Sequence, residues 1–372
     1  MKGQWLGEYT GTNSGRIMVN VDEFLSYYRG VAYLRDNNPQ LPGSAVAFQT
    51  VDKRNSCEIQ VSGIFPIDPK TGLVSNWENV KQFYAHNVVL PTSATANITL
   101  DGDFLVLNWA TNLGTTGACR LPRSKADQPS ELVAVEKNWE EFKDYVATLE
   151  HRKYLFRGQT SQWRLRTAFH RAGRADLVRF LTEDIQTLHK QLSARTKHLF
   201  NLDIPNENGA FFNLVQHHGY PTPLLDWTYS PYVAAFFAYR GISNSKAAMA
   251  DPAAKVRIHV FDQVQWKLDW NQVLVFLFTG EHLSIGEFMA IENERMIPQQ
   301  AATTITNLDD IESYVKTKGQ VNGKTYLTAI DLPVRERRKI IQELGYMGIT
   351  ASSLFPRLDG ACEELKERNF EL

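Results

Sequence analysis

The sequence is poor in cysteine, has no long hydrophobic run and carries almost no net charge, and each lack excludes a class of protein. Three cysteines among 372 residues, widely spaced, fit neither a disulfide framework nor a CxxC metal site. This usage favours a reducing, cytoplasmic compartment. No apolar stretch approaches the roughly 20 residues that span a bilayer, and the first residues lack a signal-peptide pattern, so we expect no membrane partner. A net charge of -1 argues against a chain that coats nucleic acid.

The length and the change of pattern along the chain predict two domains, with an α+β fold class overall. Residues 1–125 contain short alternating runs separated by turn residues, including a hairpin at Asp101-Gly102, and predict a small antiparallel β-barrel or sandwich. Residues 126–136 predict a linker. Residues 137–372 mix helices and strands and predict an α/β domain. We expect strands at 256–261 and 273–278, and a helix that Asn307 caps.

The N-terminal β-rich domain is expected to have an auxiliary role beside the larger domain. We expect it to act as a sensor, a target-binding unit or a regulator. A barrel of this size either holds a small ligand or fills its interior with its own side chains, and we expect the filled interior.

The stretch from residue 216 to residue 231 sets polar side chains in apolar surroundings. Residues 224–227 predict a short buried strand, and Pro231 is suited to the first position of the helix that follows. Because burying unpaired polar groups is costly, this stretch predicts either a functional site, which we favour, or a polar network that only fixes the turn. The polar side chains are those of His217, His218, Thr222, Asp226, Thr228 and Ser230.

Arg157 follows a short predicted strand and precedes Gly158 and Gln159. A guanidinium in this position suits the bidentate binding of a phosphate or carboxylate, and Gly158 lets another group approach. The alternative of equal weight is a structural arginine paired with Asp226. Residues 152–179 hold eight basic residues and one acidic residue, so this region either attracts a phosphorylated ligand or nucleic acid, or is a solvated face without a partner.

Neighbouring histidines and acids offer further chemistry. His217 and His218 are adjacent at the end of a predicted helix and point in different directions, and no HExxH spacing supports them, so we expect no metal. Either Gln299 or one of four glutamates is expected to face the central stretch across the sheet, and the alternative for each glutamate is a solvated surface position. The four glutamates are Glu281, Glu287, Glu292 and Glu294.

Phe156-Arg157-Gly158, together with four further blocks, resembles the FRG domain family. The blocks lie at residues 139–142, 216–228, 294–299 and 353–360, and the resemblance covers residues 135–360. Their order is similar to that of an ADP-ribosyltransferase core, in which a strand ends in arginine, a Ser/Thr segment precedes a helix, and an acid or amide follows. The resemblance implies a split sheet flanked by helices.

The resemblance to ADP-ribosyltransferases implies NAD as substrate, and transfer of its ADP-ribose or hydrolysis of its glycosyl bond. Such chemistry suits a toxin or an antiphage defence effector. Arg157 would hold the NAD phosphates or ribose, and the segment around Thr228 and Ser230 would shape the nicotinamide pocket. A glutamine cannot stabilise the positive charge that develops on the ribose, so Glu292 or Glu294 would do so beside Gln299. The implied NAD-binding residues are Arg157, Gly158, Gln159, His217, His218, Thr222, Asp226, Thr228 and Ser230.

Two other functions stay open. A non-catalytic nucleotide or nucleic-acid binding module would use the same Arg157 pocket without an acid. A nuclease or phosphotransfer enzyme would use His217, His218 and Asp226. For the transferase, a protein or a nucleic acid is the expected acceptor, and a glutamate close to Arg157 would favour that function over the binding module.

Overall fold

The computed structural model describes residues 1–370, and its first third is a closed barrel of eight antiparallel strands. Each strand pairs with the next one, and β1 pairs with β8 through Tyr9 and Cys119, so the barrel has no open edge. A short helix, α1 (Trp77–Val80), lies in the connection between the fifth and sixth strands. The strands are β1 (Gly3–Gly11), β2 (Gly15–Glu23), β3 (Tyr28–Asp36), β4 (Ser44–Thr50), β5 (Ser56–Pro66), β6 (Ala94–Asp101), β7 (Phe104–Thr111) and β8 (Thr116–Pro122).

The barrel interior is filled at one end and hollow at the other. Side chains that alternate inward along the strands fill the first end, among them Trp5, Ile98, Leu105 and Leu121. The other end holds a cavity of 190 Å³. The filled interior expected from the sequence is therefore wrong where this cavity lies, because a pattern of inward-facing residues does not reveal the volume they leave.

The remainder of the described chain builds a seven-stranded mixed sheet with helices on both faces. Its strands are β9 (Ala134–Glu136), β10 (Tyr154–Gln159), β11 (Leu224–Thr228), β12 (Lys255–Asp262), β13 (Leu283–Gly286), β14 (Ala301–Thr306) and β15 (Leu327–Pro333). Its helices are α2 (Trp139–Ala147), α3 (Ala168–Arg171), α4 (Leu177–Arg179), α5 (Ile185–Leu192), α6 (Pro205–His217), α7 (Pro231–Tyr239), α8 (Asn244–Ala248), α9 (Gln263–Asp269), α10 (Ile311–Asn322), α11 (Arg337–Tyr346), α12 (Ala351–Leu354) and α13 (Leu358–Phe370).

The mixed sheet opens between its third and fourth strands. The strand order is β13-β14-β11-β10-β12-β15-β9. Within the described chain, β10 and β11 are paired at one position, Phe156 with Thr228, whereas β10 and β12 are paired along six residues each. The two strands diverge beyond Phe156, and this opening creates the space for a site.

The segment predicted as a linker is partly built into the sheet. Residues 134–136 form β9, which pairs in parallel with β15 at its edge. Just before it, the Ser130 hydroxyl accepts a hydrogen bond from Arg257 Nη1 at 2.8 Å and donates one to Glu312 Oε2 at 3.0 Å. The connection between barrel and sheet is thus fixed by both main-chain and side-chain bonds.

The barrel also contacts the second domain through a buried carboxylate. Asp22 of β2 has no exposed surface and accepts hydrogen bonds from Arg174 Nε at 2.5 Å and Arg179 Nη1 at 3.1 Å. The main-chain amides of Ala175 and Asp176 donate to the same side chain at 2.8 and 3.2 Å. Among residues 1–370, no helix combines the length and the apolar character that crossing a membrane requires.

Two local predictions are wrong. Residues 273–278 form no strand, and Phe276 instead packs against α6 in a cluster that includes Phe212. Asn307 does not cap a helix, because its amide donates to the carbonyls of Phe278 and Gly280, and Asp310 caps α10. The predicted strand at 256–261 is confirmed as the centre of β12.

Candidate functional site

Arg157 bridges the opening in the mixed sheet. Where β10 and β11 have parted, its Nη1 donates a hydrogen bond of 2.6 Å to the main-chain carbonyl of Asp226. Its Nε is buried and has no hydrogen-bond partner among residues 1–370. A buried donor without a partner is costly, so an acceptor from outside the chain would stabilise this guanidinium.

A cavity of 280 Å³ lies at this opening. Two guanidinium groups line it, those of Arg157 and Arg295, and Arg295 Nη1 donates to the His217 carbonyl at 2.5 Å. Phe237 and Phe355 also line it, in edge-to-face contact with ring centroids 6.0 Å apart. Asp226 is the one carboxylate that lines it among residues 1–370. The wall therefore combines positive charge, aromatic surface and a single acid.

Burial lowers the pKa of Arg157 to about 10, and the neighbouring charge of Arg171 acts in the same direction while Asp226 opposes it. Burial also lowers the pKa of Arg171, with Arg166 adding to the effect. Arg157 stays protonated near neutral pH, since its pKa lies well above 7. The lowered pKa reflects a cation that its protein surroundings compensate incompletely, which is the condition an anionic ligand would relieve.

A second cavity of 270 Å³ lies next to the first, and Arg157 and Asp226 line both. The second cavity is also lined by Arg171, Gln216 and Tyr220. Two neighbouring spaces that share Arg157 suit an extended ligand with a charged middle.

A chain of hydrogen bonds orients the Asp226 carboxylate. The Thr222 hydroxyl donates to Gln216 Oε1, and Gln216 Nε2 donates to Asp226 Oδ1. Thr222 is fully buried, so its part in the site is to hold Gln216 rather than to touch a ligand. No hydrogen bond reaches Asp226 Oδ2 from any described residue, which leaves that oxygen for a ligand.

Thr228 and Ser230 build the turn that leads from β11 into α7. The Thr228 hydroxyl donates to the Gln299 carbonyl at 2.7 Å and accepts from the Ser230 amide at 3.0 Å. The Ser230 hydroxyl caps α7 by accepting from the Val233 amide at 3.3 Å. Gln299 lines the first cavity, and its Nε2 donates to the Leu354 carbonyl at 3.0 Å. These groups shape the cavity, although most of their bonds are to the protein.

Gly158 is required by helix packing. A Cβ atom at this position would lie 1.9 Å from the carbonyl oxygen of Ala234 and 2.7 Å from the amide nitrogen of Ala238. The group that approaches Gly158 is thus α7, and the close contact sets the distance between that helix and β10.

The two glutamates of the candidate catalytic set lie away from Arg157. Glu292 accepts a hydrogen bond from the His198 amide, and Glu294 forms an exposed ion pair with Arg357 at 3.1 Å. Both line a small neighbouring pocket together with His218 and with Arg295, which also lines the 280 Å³ cavity. No glutamate of residues 1–370 lines the 280 Å³ cavity itself.

The histidines and Gln159 are divided between different surroundings. His217 lines the cavity, and its Nδ1 is 2.8 Å from Asn293 Oδ1. Burial lowers the pKa of His218, helped by Arg295 and Arg357. Gln159 follows Arg157 on β10 but lies outside the cavity wall, with a buried Oε1 that no described residue contacts by hydrogen bond.

Across residues 1–370, no cluster of three or more His, Cys, Asp or Glu side chains is suited to a metal ion.

The cavity residues that were not identified from the sequence include Arg295, Phe237 and Phe355. Arg295 lies between Glu294 and Gln299. From the sequence, Glu294 is predicted at the site and Arg295 is not considered. Phe237 and Phe355 are more than 100 residues apart, and only the packing of α7 against the end of α12 brings them together.

Comparison with known proteins identifies one family. Residues 152–247 match the model of the FRG domain. The match contains Arg157, Gly158, Asp226 and Ser230 and ends before Arg295. No curated protein and no solved structure gives a significant match. Within its C-terminal two thirds, this chain therefore carries an FRG domain.

Proposed function

We propose that the cavity at the opened sheet binds NAD and that the FRG domain cleaves the bond between nicotinamide and ribose, either for ADP-ribosyl transfer or for hydrolysis. The observation that carries the proposal is the buried guanidinium of Arg157, whose Nε has no partner among residues 1–370 and which lies between two cavities. A dinucleotide has its phosphates in the middle, so they would meet Arg157 while the two halves occupy the two spaces.

The lining of the first cavity suits one half of a dinucleotide. Phe237 and Phe355 offer an aromatic surface for a base or a nicotinamide ring, and Arg295 adds a second donor for phosphate or ribose oxygens. Bidentate guanidinium contacts to phosphate are among the stronger hydrogen bonds in proteins, so two such groups favour a phosphorylated ligand over a neutral one.

Asp226 is the acid we assign to the chemical step. Cleavage breaks the bond between ribose C1′ and the nicotinamide nitrogen, and the electron pair leaves with neutral nicotinamide. Positive charge then develops on the ribose, and a carboxylate held in place by Gln216 would stabilise it. Water or an acceptor nucleophile adds to C1′ and loses a proton. We do not assign this role to Glu292 and Glu294, which line a neighbouring pocket and not the cavity of Arg157.

A non-catalytic nucleotide-binding module is the second candidate, and the position of the two glutamates favours it. Both candidates require nucleotide binding at Arg157, and they differ in whether nicotinamide is released. The nuclease or phosphotransfer alternative has less support, because His217 and Asp226 line the cavity of Arg157 whereas His218, its third residue, lines the pocket of Glu292 and Glu294.

The test is to incubate the purified chain with NAD, with and without cell lysate as a source of acceptor, and to quantify nicotinamide. Thermal unfolding with and without NAD measures binding separately. We expect the Arg157→Ala variant to lose both signals, and Arg195→Ala, a change at an exposed arginine, to keep them. Stabilisation without release would favour the binding module. If NAD neither stabilises the protein nor releases nicotinamide, the proposal is wrong.

A further inference from the structure

The hollow end of the barrel is a cavity without an assigned role. It measures 190 Å³ and lies among the eight strands, away from the Arg157 site. For comparison, an apolar protein cavity of about 150 Å³ binds benzene. Eight strands leave an interior just wide enough for side chains or for one small ligand, so this space is too narrow for a peptide segment.

The cavity wall is apolar below its rim. Leu34, Val46 and Leu107 point into it from three different strands, and Ala32 and Ala96 leave room where larger residues would fill it. At the rim, Val89 and Leu113 are 59% and 44% exposed. Exposed apolar residues around the mouth of an apolar cavity favour the entry of an apolar molecule.

Aromatic residues are fixed in place near the mouth. The ring centroids of Tyr9 and Trp109 are 5.7 Å apart, and the Trp109 ring covers Gly117 so closely that a Cβ there would lie 2.2 Å from it. The Tyr9 hydroxyl donates to Asp36 Oδ2 at 3.2 Å. The wall is therefore preorganised, which lowers the cost of ordering it around a ligand.

The charged groups that line the mouth of the barrel cavity disfavour an anionic ligand. Asp36 is the one carboxylate that lines the cavity, and no lysine or arginine of residues 1–370 lines it. Burial and the Asp36 charge raise the pKa of Tyr9, so its hydroxyl stays protonated and uncharged. A ligand carboxylate would face Asp36 without a compensating cation, whereas a hydroxyl group would find an acceptor.

We propose that the hollow end of the barrel is a binding site for a small uncharged apolar molecule, such as a short alkyl chain or a single aromatic ring with one hydroxyl group. The site depends on the barrel alone and holds whether or not the FRG domain acts on NAD. It gives the N-terminal domain a ligand of its own.

The test compares 1-octanol with octanoate, which share a chain and differ in charge, by saturation-transfer NMR on the full chain. We expect octanol to bind at least tenfold more tightly than octanoate. Val46→Phe, which fills the cavity, should weaken octanol binding at least tenfold. Val106→Phe makes the same change on β7 at a position that alternates with the inward-facing Leu105 and Leu107, and it should leave binding unchanged. Asp36→Asn should narrow the difference between alcohol and acid.

Three results would overturn the proposal: no binding of octanol, equal binding of octanoate and octanol by the wild-type protein, or unchanged octanol binding by a folded Val46→Phe variant. Circular dichroism establishes whether that variant folds. If it does not, the Asp36→Asn variant decides, because an unchanged ratio of alcohol to acid binding would place the ligand elsewhere.

Discussion

Arg157 binds the main chain of Asp226 and not its carboxylate. The 2.6 Å bond ends on the carbonyl oxygen, while the Asp226 side chain is held by Gln216. An arginine used for structure alone would be expected to pair with the nearby acid. Here the arginine holds the opened strands in position and keeps its Nε unpaired among the described residues, and the acid keeps one oxygen unbound. The described chain thus leaves hydrogen-bonding capacity on both the guanidinium and the carboxylate.

A lysine at position 157 should not restore the NAD binding that we assign to Arg157. A lysine keeps the positive charge but lacks the planar set of donors that can hold the Asp226 carbonyl and a phosphate together. We expect NAD affinity to fall at least tenfold, measured by calorimetry. The control is Arg195→Lys, the same exchange at an exposed position. Full affinity in Arg157→Lys would mean that charge alone is sufficient.

The Asp226→Asn variant should separate binding from cleavage. Loss of the carboxylate removes the charge that stabilises the ribose cation, so nicotinamide release should fall by about 10² or more while NAD still stabilises the protein. Glu294→Gln, at the exposed ion pair with Arg357, should keep wild-type release. If Glu294→Gln abolishes release and Asp226→Asn does not, our assignment of the acid is wrong.

The Gly158→Ala variant should destabilise the FRG domain by about 1–3 kcal/mol or more, because the added methyl group overlaps the α7 backbone. Gly345→Ala is the matched control. Gly345 lies in α11 with no neighbour within 4 Å of an added Cβ, and alanine there should stabilise by about 0.5–1 kcal/mol. Urea unfolding followed by circular dichroism measures both. Equal effects of the two changes would contradict the packing role of Gly158.

The Asp22→Ala variant should weaken the contact between barrel and FRG domain. The change removes the fully buried partner of Arg174 and Arg179, which among the described residues keep only the less buried Asp184 and Glu183. Breaking a buried ion pair typically costs about 3–5 kcal/mol. Asp101→Ala removes the acid from an exposed pair with Arg120 and should change the free energy of unfolding by no more than about 0.5 kcal/mol. Calorimetry measures the free energy of unfolding of both variants. Similar values for the two would argue against a stabilising contact at Asp22.

The stability of the protein should depend on pH through His170. Burial lowers the pKa of His170 to about 4, below the value of about 6.5 for an unfolded chain. The unfolded state therefore takes up a proton first, and stability present above pH 6.5 is lost as the pH falls to 4. His170→Phe should flatten this part of the curve of unfolding free energy against pH. His86→Phe, at an exposed loop residue, should leave the slope unchanged.

The strand, turn and helix around Asp226 could be predicted because their determinants are local. Residues 224–227 were predicted as a strand and form most of β11, and Pro231 occupies the first turn of α7 behind the Ser230 cap. Where a side chain forms its hydrogen bonds with residues distant in sequence, the prediction from local pattern was wrong. Asn307 has the chemistry of a helix cap, but its partners are the carbonyls of Phe278 and Gly280, more than 25 residues earlier.

The site could be predicted only in part, because only some of its residues lie in segments whose structure follows from local sequence. Arg157 and Asp226 lie within or next to recognisable strands, and the structure brings both to the cavity. The direction of each side chain in the segment after residue 290 depends on irregular backbone, including a left-handed residue at Glu292 with φ of 54°. Periodicity does not apply there, so the sequence could not show that Arg295 faces the cavity and Glu294 faces solvent.

Because β9 belongs to the mixed sheet, removing the chain before residue 137 would change that sheet. A fragment that begins at residue 137, the boundary the sequence suggests, would lack the outermost strand of the mixed sheet and leave the edge of β15 uncovered. Unpaired sheet edges attract other strands, so such a fragment should self-associate. It would also lose Ser130, the shared partner of Arg257 and Glu312. An excised domain that behaves well in solution should therefore begin upstream of Pro129.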